Sequence, residues 1–383
     1  MRRLKLRYGM VGGDLGAFIG GVHRRAIAID ERAVLTAGCF SSHENKNQEC
    51  ADFYNLEKDR VYKSYIEMAE KEFLREDKID FVSIVTPNAT HYEVAKTFLE
   101  HGINVVCEKP LCLTRKQAVE LEKLTKEKNL FFGVTYTYSG YAMVKQARKL
   151  VKDGYIGKVV NINAEYLQEW LIDEIGTGNG STKKLSVWRM DTKFSGISNC
   201  VGDIGTHIEN TVSYVTGLKP VKVAAVLDTY GHELDMNANM LVEFDNGAHG
   251  VFSCSQVCIG HANGLVIRIF GTEGAIEWKQ EDPNYLFVTK KGQPMQIYNR
   301  GMGYINGRAA LINRIPSGHP EGLMIAFANI YQAVIEAILK KENNEMITED
   351  DLDFPSVSDG REGVNFIHAV VESNNKGSKW IEL

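Results

Sequence analysis

The sequence predicts an α/β fold: a doubly wound parallel sheet, then an α+β region with a large, mostly antiparallel open-faced sheet. Over residues 1–137, short apolar runs typical of buried strands alternate with helical segments, as expected for a parallel sheet. Over residues 138–383 the rhythm changes, and residues 221–300 hold turn-punctuated apolar segments typical of antiparallel strands. We therefore expect two domains, 1–137 and 138–383, and a chain of 383 residues can bury two cores.

Composition excludes several classes of protein. The net charge of −5 is spread along the chain, which argues against a nucleic-acid or membrane-surface partner. No uninterrupted apolar run approaches the roughly 18 residues of a membrane span, and no secretory signal is recognisable at the start. The seven cysteines lack paired metal-ligand spacing, and Cys39 and Cys107 fall in apparent core strands. We expect a cytoplasmic protein with reduced thiols and no metal site.

A glycine-rich turn follows the first predicted strand, residues 6–12. It reads Gly12-Gly13-Asp14-Leu15-Gly16 and leads into a helix, which is the setting of a dinucleotide-binding fingerprint. The free N–H groups of that helix would hold a pyrophosphate. Asp14 occupies the middle glycine position and would repel phosphate unless it turned away to cap the helix. The alternative is a tight turn that binds nothing. The candidate cofactor-binding residues are Gly12, Gly13, Gly16, Ala17 and Phe18.

The end of the second strand bears on which nucleotide is bound. An NAD-selective site usually has an acidic residue there, bonded to the ribose 2′-OH. This chain has Ser41 and Ser42, which tolerate either a 2′-OH or a 2′-phosphate, and Lys46 is near in sequence. We expect NAD, without excluding NADP.

The loop after the next strand, residues 81–85, also belongs to the expected cofactor site. Thr86, Pro87, Asn88 and His91 would cover the ribose and nicotinamide. A competing interpretation is that Asn88 only caps the following helix.

A charged pair closes the strand over residues 104–107. Glu108 and Lys109 precede Pro110, which stops the strand. A lysine at the carboxyl end of a parallel strand points into the crevice where such sheets bind ligands, and a buried lysine can exchange protons. We expect Glu108 and Lys109 to belong to the cofactor-binding site. The alternative is a solvated pair at the end of an edge strand.

In the second half, residues 176–184 have the composition of a lid, and helices near 203–216, 321–341 and 359–375 could cover one sheet face. A partner subunit could cover the other face.

The chemical centre of the second half would be Asp203 and His207, which share a helix face if the segment is α-helical. They could form a general base with its orienting acid. Trp188 and Arg189 could contact an anionic cofactor. Both pairs could equally be ordinary surface or core contacts.

Together these motifs resemble the glucose–fructose oxidoreductase/inositol dehydrogenase (Gfo/Idh/MocA) family. The resemblance rests on the glycine turn, Thr86-Pro87-Asn88 with His91, Glu108-Lys109-Pro110, Trp188-Arg189 and Gly202-Asp203-Ile204-Gly205-Thr206-His207, all in family order. It implies a Rossmann domain, an open-faced sheet domain, a pyridine nucleotide, and a homodimer or homotetramer. It also implies that Lys109 bonds the reacting hydroxyl, that His207 accepts its proton and that Asp203 orients His207. Asp14 and Ser41 depart from the family pattern.

The expected reaction is oxidation of a secondary hydroxyl of a sugar, glycoside or cyclitol, at ring C3 by family resemblance alone. Two alternatives remain: an NAD-dependent glycosidase acting through a transient 3-oxo sugar, and a non-catalytic sensor of nucleotide and sugar. Aromatic and polar side chains suit a polyol substrate. The candidate substrate residues are Lys109, Tyr138, Tyr166, Asp203, His207 and His319.

Overall fold

The computed structural model describes residues 4–176 and 188–383, so all of the predicted lid except Gly176 lies outside the described residues. Two compact units are formed: Met1–Gly140 with Leu323–Arg361, and Tyr141–Gly322 with Glu362–Leu383. The first domain was expected to end at residue 137, and the first segment of unit 1 ends at residue 140. The assignment of all of 138–383 to the second domain is wrong for Leu323–Arg361, which returns to the first unit.

The described helices and strands alternate in the first third of the chain, as expected. In chain order, the α-helices are α1 (Phe18–Ala28), α2 (Glu44–Tyr54), α3 (Tyr65–Phe73), α4 (His91–Glu100), α5 (Arg115–Glu127), α6 (Ala142–Lys152), α7 (Thr192–Ser195), α8 (Thr206–Thr216), α9 (Arg308–Leu311), α10 (Leu323–Glu342) and α11 (Val357–Asn375). The strands are β1 (Leu6–Gly12), β2 (Ala33–Cys39), β3 (Phe81–Val85), β4 (Asn104–Cys107), β5 (Phe132–Val134), β6 (Val159–Leu167), β7 (Pro220–Asp228), β8 (Asn237–Phe244), β9 (His249–Ser255), β10 (Gly264–Gly271), β11 (Gly274–Lys279), β12 (Tyr285–Lys290), β13 (Gln296–Asn299) and β14 (Ile381–Glu382).

The first unit is built on a parallel sheet, which confirms the predicted α/β class. Among the described residues, its strands lie in the order β2-β1-β3-β4-β5. The chain leaves β1 to one side for β2 and crosses to the other side for β3. That reversal opens a crevice at the carboxyl ends of β1 and β3, where sheets of this kind bind their ligands.

Helix α10 explains why the domain prediction failed. Its sequence is apolar on most faces, and Phe327, Tyr331, Val334 and Ile338 are buried in the core of the parallel sheet. A helix that is hydrophobic all round is typically buried. By length and composition α10 could also cross a membrane, but 67% of the residues in its most apolar window are buried in the structure.

The second unit is built on a large, mostly antiparallel sheet, also as predicted. In the described part of the chain its order is β13-β12-β11-β10-β6-β9-β8-β7-β14, with β6 and β9 parallel. Side chains from α8 and from the C-terminal part of α11 pack on one face; Phe366, for example, contacts Phe252. The opposite face exposes Val226, Leu241 and Val251. The predicted homo-oligomer would cover these side chains.

Close packing between the glycine turn and α1 depends on Gly20, which lies outside the predicted glycine-turn motif. A Cβ on Gly20 would lie 2.4 Å from the Cα of Gly13, and a Cβ on Gly13 would lie 2.9 Å from the Cα of Gly20. Gly20 therefore performs the helix-packing role that the fingerprint usually assigns to its third glycine.

We expect Gly20→Ala to destabilise the protein by about 1–3 kcal/mol, because its methyl group would push the turn away from α1. The neighbouring Gly21 is a matched control, since a Cβ there meets only Arg25 Nη1 at 4.0 Å. Gly21→Ala should raise stability by about 0.5–1 kcal/mol through helix propensity. Urea unfolding of both variants checks this; equal effects of the two substitutions would contradict the packing argument.

Candidate functional site

The crevice in the first unit is formed where two loops meet. Gly12 and Gly13 turn with φ of +81° and +76°, a backbone conformation that favours glycine. A Cβ on Gly12 would lie 2.9 Å from the Cγ2 of Thr86, so the glycine turn and the loop after β3 are in close contact. A Cβ on Gly16 would meet only the Asp14 carboxylate, at 3.4 Å. The approach to the first turn of α1 is therefore open enough for a pyrophosphate, with Ala17 as N-cap and an exposed Phe18.

The Asp14 carboxylate is held within the glycine turn and does not cap α1. Its Oδ1 accepts the Gly16 N–H at 3.0 Å, and its Oδ2 accepts from the Lys46 ammonium at 2.7 Å. The helix is capped at Ala17, which has no polar side chain. The negative charge that would repel a phosphate is thus compensated by Lys46 within the unit.

The loop after β2 is organised by Asn47, which the motif analysis missed. Its Oδ1 accepts the N–H groups of Phe40 and Ser41 at 2.7 and 2.9 Å, and its Nδ2 donates to the Ser41 carbonyl at 2.8 Å. The Ser41 hydroxyl accepts the His43 N–H at 3.2 Å, so the loop that includes Ser42 is folded against the start of α2.

The loop after β3 begins a short 3₁₀ turn, Asn88–Thr90, before α4. Thr90 is the N-cap of α4, so the expectation that Asn88 caps this helix is wrong. The Thr90 hydroxyl bonds to Thr86 Oγ1 at 2.7 Å and the Pro87 carbonyl at 2.9 Å. The Thr90 hydroxyl contacts therefore fix this loop, and Asn88 lies at the start of the 3₁₀ turn, two residues before the N-cap of α4.

His91 joins that loop to the end of β4. Its Nδ1 lies 2.8 Å from the Pro110 carbonyl and its Nε2 lies 2.9 Å from the Thr86 carbonyl. Burial lowers the pKa of His91, and the two carbonyl oxygens oppose that effect without cancelling it. The fully buried His91 ring therefore holds these two backbone segments together.

Glu108 is the centre of a buried hydrogen-bond cluster. Its Oε1 lies 2.8 Å from His23 Nε2 and accepts from Thr135 Oγ1 at 2.6 Å, and its Oε2 accepts the Lys109 N–H at 3.1 Å. On the other side of the ring, His23 Nδ1 lies 2.6 Å from the hydroxyl of Tyr331, which in turn lies 2.7 Å from Ser83 Oγ. Helices α1 and α10 are thus tied to the ends of β4 and β5.

The charge state of Glu108 follows from these partners. Burial alone raises the pKa of its carboxyl, but the hydrogen bonds from His23 and Thr135 and the nearby positive charges outweigh it and lower the pKa to about 2. An ionised carboxylate only accepts hydrogen bonds, so His23 Nε2 must donate to it. The alternative of a solvated edge-strand pair is wrong for Glu108, which is buried directly after β4, a strand flanked by β3 and β5.

Lys109 follows this anchored carboxylate directly. It is half-buried at the carboxyl end of β4, where the sequence pattern placed it. Because the Glu108 side chain is held by three hydrogen bonds, one of them from the Lys109 N–H, the starting point of the lysine side chain is fixed. A positioned ammonium at this edge of the sheet can donate to an oxygen that gains negative charge.

In the second unit, Asp203 and His207 do not lie on a continuous α-helix as expected. Val201–Gly205 forms a π-helix, and α8 starts at Thr206. Such π-turns are rare and occur frequently at functional sites. His207 is buried in the first turn of α8, with its ring centroid 6.3 Å from that of Tyr166.

A second buried carboxylate supports this π-turn. Asp235 accepts the N–H groups of Asn199 and Val201, both at 2.9 Å. The Asn199 side chain donates to Gln256 Oε1 at 2.6 Å, and Gln256 Nε2 donates to Asp203 Oδ2 at 3.0 Å. Burial raises the pKa of Asp235 although the backbone N–H groups oppose this shift. Asp203 is thus oriented through residues that no local motif marks.

Arg189 lies on the same side of this cluster as Asp203. Its guanidinium stacks over the ring of Trp188 at 4.4 Å, and its Nε lies 3.9 Å from Asp203 Oδ2. The expected contact of Trp188 and Arg189 with a cofactor stays a prediction. The structure does bring this pair together with the candidate acid.

The remaining candidate substrate residues differ in exposure. Tyr138 is buried in a 3₁₀ turn of the first unit. In the second unit, the Tyr166 hydroxyl donates to Asn263 Oδ1 at 2.6 Å, and Gln168 donates to the same atom at 2.8 Å. His319 is exposed, and its carbonyl accepts from the guanidinium of the buried Arg300 at 2.6 Å. Asn263 and Arg300 were not predicted as site residues, because their contacts form only when segments distant in sequence fold together.

We expect Glu108→Gln to cost about 3 kcal/mol of stability at pH 7, because it leaves the buried His23 without its anion. Since folding lowers the pKa of Glu108 from 4.5 to about 2, its contribution is present above pH 4.5 and lost as the pH falls towards 2. Chemical unfolding at several pH values should show variant and wild type converging over that range. Glu120→Gln, at an exposed ion pair, should have a much smaller effect; an equal effect would refute the anchoring role of Glu108.

Comparison with known proteins assigns both halves. Residues 6–136 match the family described as oxidoreductase family, NAD-binding Rossmann fold, and residues 144–277 match the GFO/IDH/MocA C-terminal domain. The uncharacterized oxidoreductase YfiI of Bacillus subtilis is 34% identical, over 99% of this chain and 97% of its own. Levoglucosan dehydrogenase of Pseudarthrobacter phenanthrenivorans is 28% identical, over 80% of each chain.

Similar solved structures support the same family assignment. An inositol dehydrogenase homolog from Azotobacter vinelandii in complex with NAD+ has a TM-score of 0.93 and 32% identity, covering 99% of this chain and 97% of its own. The same homolog has been solved with NADH and myo-inositol, with a TM-score of 0.90 and 32% identity, covering 99% of this chain and 98% of its own. The chain therefore belongs to the GFO/IDH/MocA family of oxidoreductases, whose first domain is an NAD-binding Rossmann domain.

Proposed function

We propose that this enzyme oxidises a secondary hydroxyl of a sugar, glycoside or cyclitol and reduces NAD+. The observation that carries the proposal is the placement of Lys109 after the buried Glu108, at the ligand-binding edge of a sheet shared with an inositol dehydrogenase homolog solved with NADH and myo-inositol. The likeness to levoglucosan dehydrogenase supports a carbohydrate substrate. We propose ring C3 as the oxidised carbon on family resemblance alone.

Lys109 would act on the oxygen of the reacting hydroxyl. When that hydroxyl loses its proton, the oxygen gains negative charge, and a fixed ammonium stabilises that charge better than mobile water. Bound NAD+ supplies the acceptor for the hydride. The glycine turn and the first turn of α1 would hold its pyrophosphate, while the loops containing Ser41, Ser42 and Thr86 would line its ribose groups.

His207 would take the proton from the same hydroxyl. Its position in the first turn of α8 is fixed by the preceding π-turn, whose N–H groups bond to Asp235. We propose that Asp203, oriented by Gln256, in turn orients His207. Tyr166 and Asn263 would bind further hydroxyls of the sugar ring, as hydroxyl and amide groups commonly do.

We expect Lys109→Met and His207→Asn each to lower kcat by about 10²–10⁴-fold, because each removes a proton-handling group. The assay follows NADH formation with myo-inositol, levoglucosan and simple glycosides. The affinity for NAD+, measured by calorimetry without substrate, should stay within about threefold, since a lost catalytic interaction need not weaken cofactor binding. Full turnover by either variant would end the assignment.

Exposed residues of the same types provide matched controls. Lys116→Met on α5 and His249→Asn on β9 should leave kcat unchanged, since both side chains are exposed and outside the proposed site. The double variant Lys109→Met/His207→Asn tests whether the two residues act on one bond. Groups that act as a unit have strongly non-additive effects, so the double variant should lose far less than the product of the two single losses. Release of free aglycone without net NADH would favour the glycosidase alternative.

A further inference from the structure

The ion pair between Asp14 and Lys46 joins the glycine turn to the first turn of α2. The Lys46 ammonium donates to Asp14 Oδ2 at 2.7 Å, while Asp14 Oδ1 is held by the Gly16 N–H at 3.0 Å. The side chain of Asp14 is 19% exposed and that of Lys46 is 51% exposed. The acid is therefore fixed in the turn, and the lysine reaches it from outside.

Lys46 lies beside the loop that reads the adenosine ribose in Rossmann domains. It directly precedes Asn47, whose side chain bonds to the backbone of Phe40 and Ser41 at the end of β2. That position is where the 2′-OH of NAD or the 2′-phosphate of NADP is recognised. A lysine next to this loop is a natural ligand for a phosphate.

The loop itself lacks the usual acid. Ser41 and Ser42 stand where an NAD-selective site has a carboxylate, and neither hydroxyl repels a phosphate. Glu44, the nearest acid in the sequence, is highly exposed and paired with Lys63 at 3.3 Å. A Lys46 ammonium free to turn toward this loop would therefore favour NADP, and Asp14 occupies that ammonium from the opposite loop.

We propose that Asp14 is the residue that makes this enzyme select NAD over NADP. It does so because its ion pair occupies the Lys46 ammonium that would otherwise bind the 2′-phosphate. With NAD, Lys46 neutralises Asp14, so the pyrophosphate meets no net charge from the pair. Asp14, at a position where the fingerprint has glycine, then has the specific role of setting the choice between NAD and NADP.

The test measures binding of NAD+ and NADP+ by calorimetry in the absence of substrate, so it does not depend on the proposed sugar chemistry. Asp14→Asn keeps an oxygen for the Gly16 N–H but releases Lys46. We expect the affinity for NADP+ to rise about tenfold, the effect of one charge-assisted hydrogen bond, while the affinity for NAD+ changes by less than about threefold.

The lysine is tested in the same way. In Asp14→Asn/Lys46→Gln the gain in NADP+ affinity should disappear, because no cation remains to bind the phosphate. Lys46→Gln alone should weaken NADP+ binding further, because Asp14 is left without its counter-ion. Asp153→Asn, which breaks the exposed pair of Asp153 with Lys149 in the second unit, is the control and should change neither affinity.

Three outcomes would overturn the proposal. These are equal binding of both nucleotides by the wild type, an NADP+ affinity that Asp14→Asn leaves unchanged, and a gain that persists when Lys46 is also replaced. Thermal unfolding of each variant separates loss of fold from loss of binding. Asp14→Ser, which also keeps a short acceptor for the Gly16 N–H, is a second variant that should show the same gain in NADP+ affinity.

Discussion

Removing the Glu108 carboxylate from water costs several kcal/mol unless its oxygens are bonded and its charge is compensated. The structure meets both conditions with His23, Thr135 and the backbone of Lys109. Each partner comes from a different element, so the charge is stable only when α1, β4 and the end of β5 are assembled together. The same assembly places Lys109 and, through α1, the glycine turn, which links the geometry of the crevice to one ionised group.

Much of this arrangement could be predicted from local sequence. The glycine turn follows an apolar strand and precedes a helix, and the Glu-Lys-Pro sequence ends another strand; both patterns need only neighbouring residues. The alternating segments likewise indicated both sheets, and β7 to β13 occupy the predicted range 221–300 apart from Pro220. The oxidoreductase class could be predicted because chemically distinctive residues occupy the ends of these elements.

Other features depend on contacts between distant segments and leave no local pattern. Tyr331 meets His23 across 308 positions, and Asp235 supports a π-turn 34 residues before it. Nothing around either residue distinguishes it from an ordinary core tyrosine or loop aspartate. The π-turn itself was missed because Asp203 and His207 have the spacing of a regular helix. Helix α10 was placed in the wrong domain because an apolar helix does not indicate which core it enters.

The return of α10 to the first unit has a consequence for synthesis. Strands β1 to β5 leave the ribosome early, but the helix that covers their core begins only at Leu323. Domains generally fold as units during translation, the N-terminal one first. Here the nucleotide-binding half cannot complete its core until most of the chain has been made. During that interval its apolar surface is open to chaperones and to aggregation.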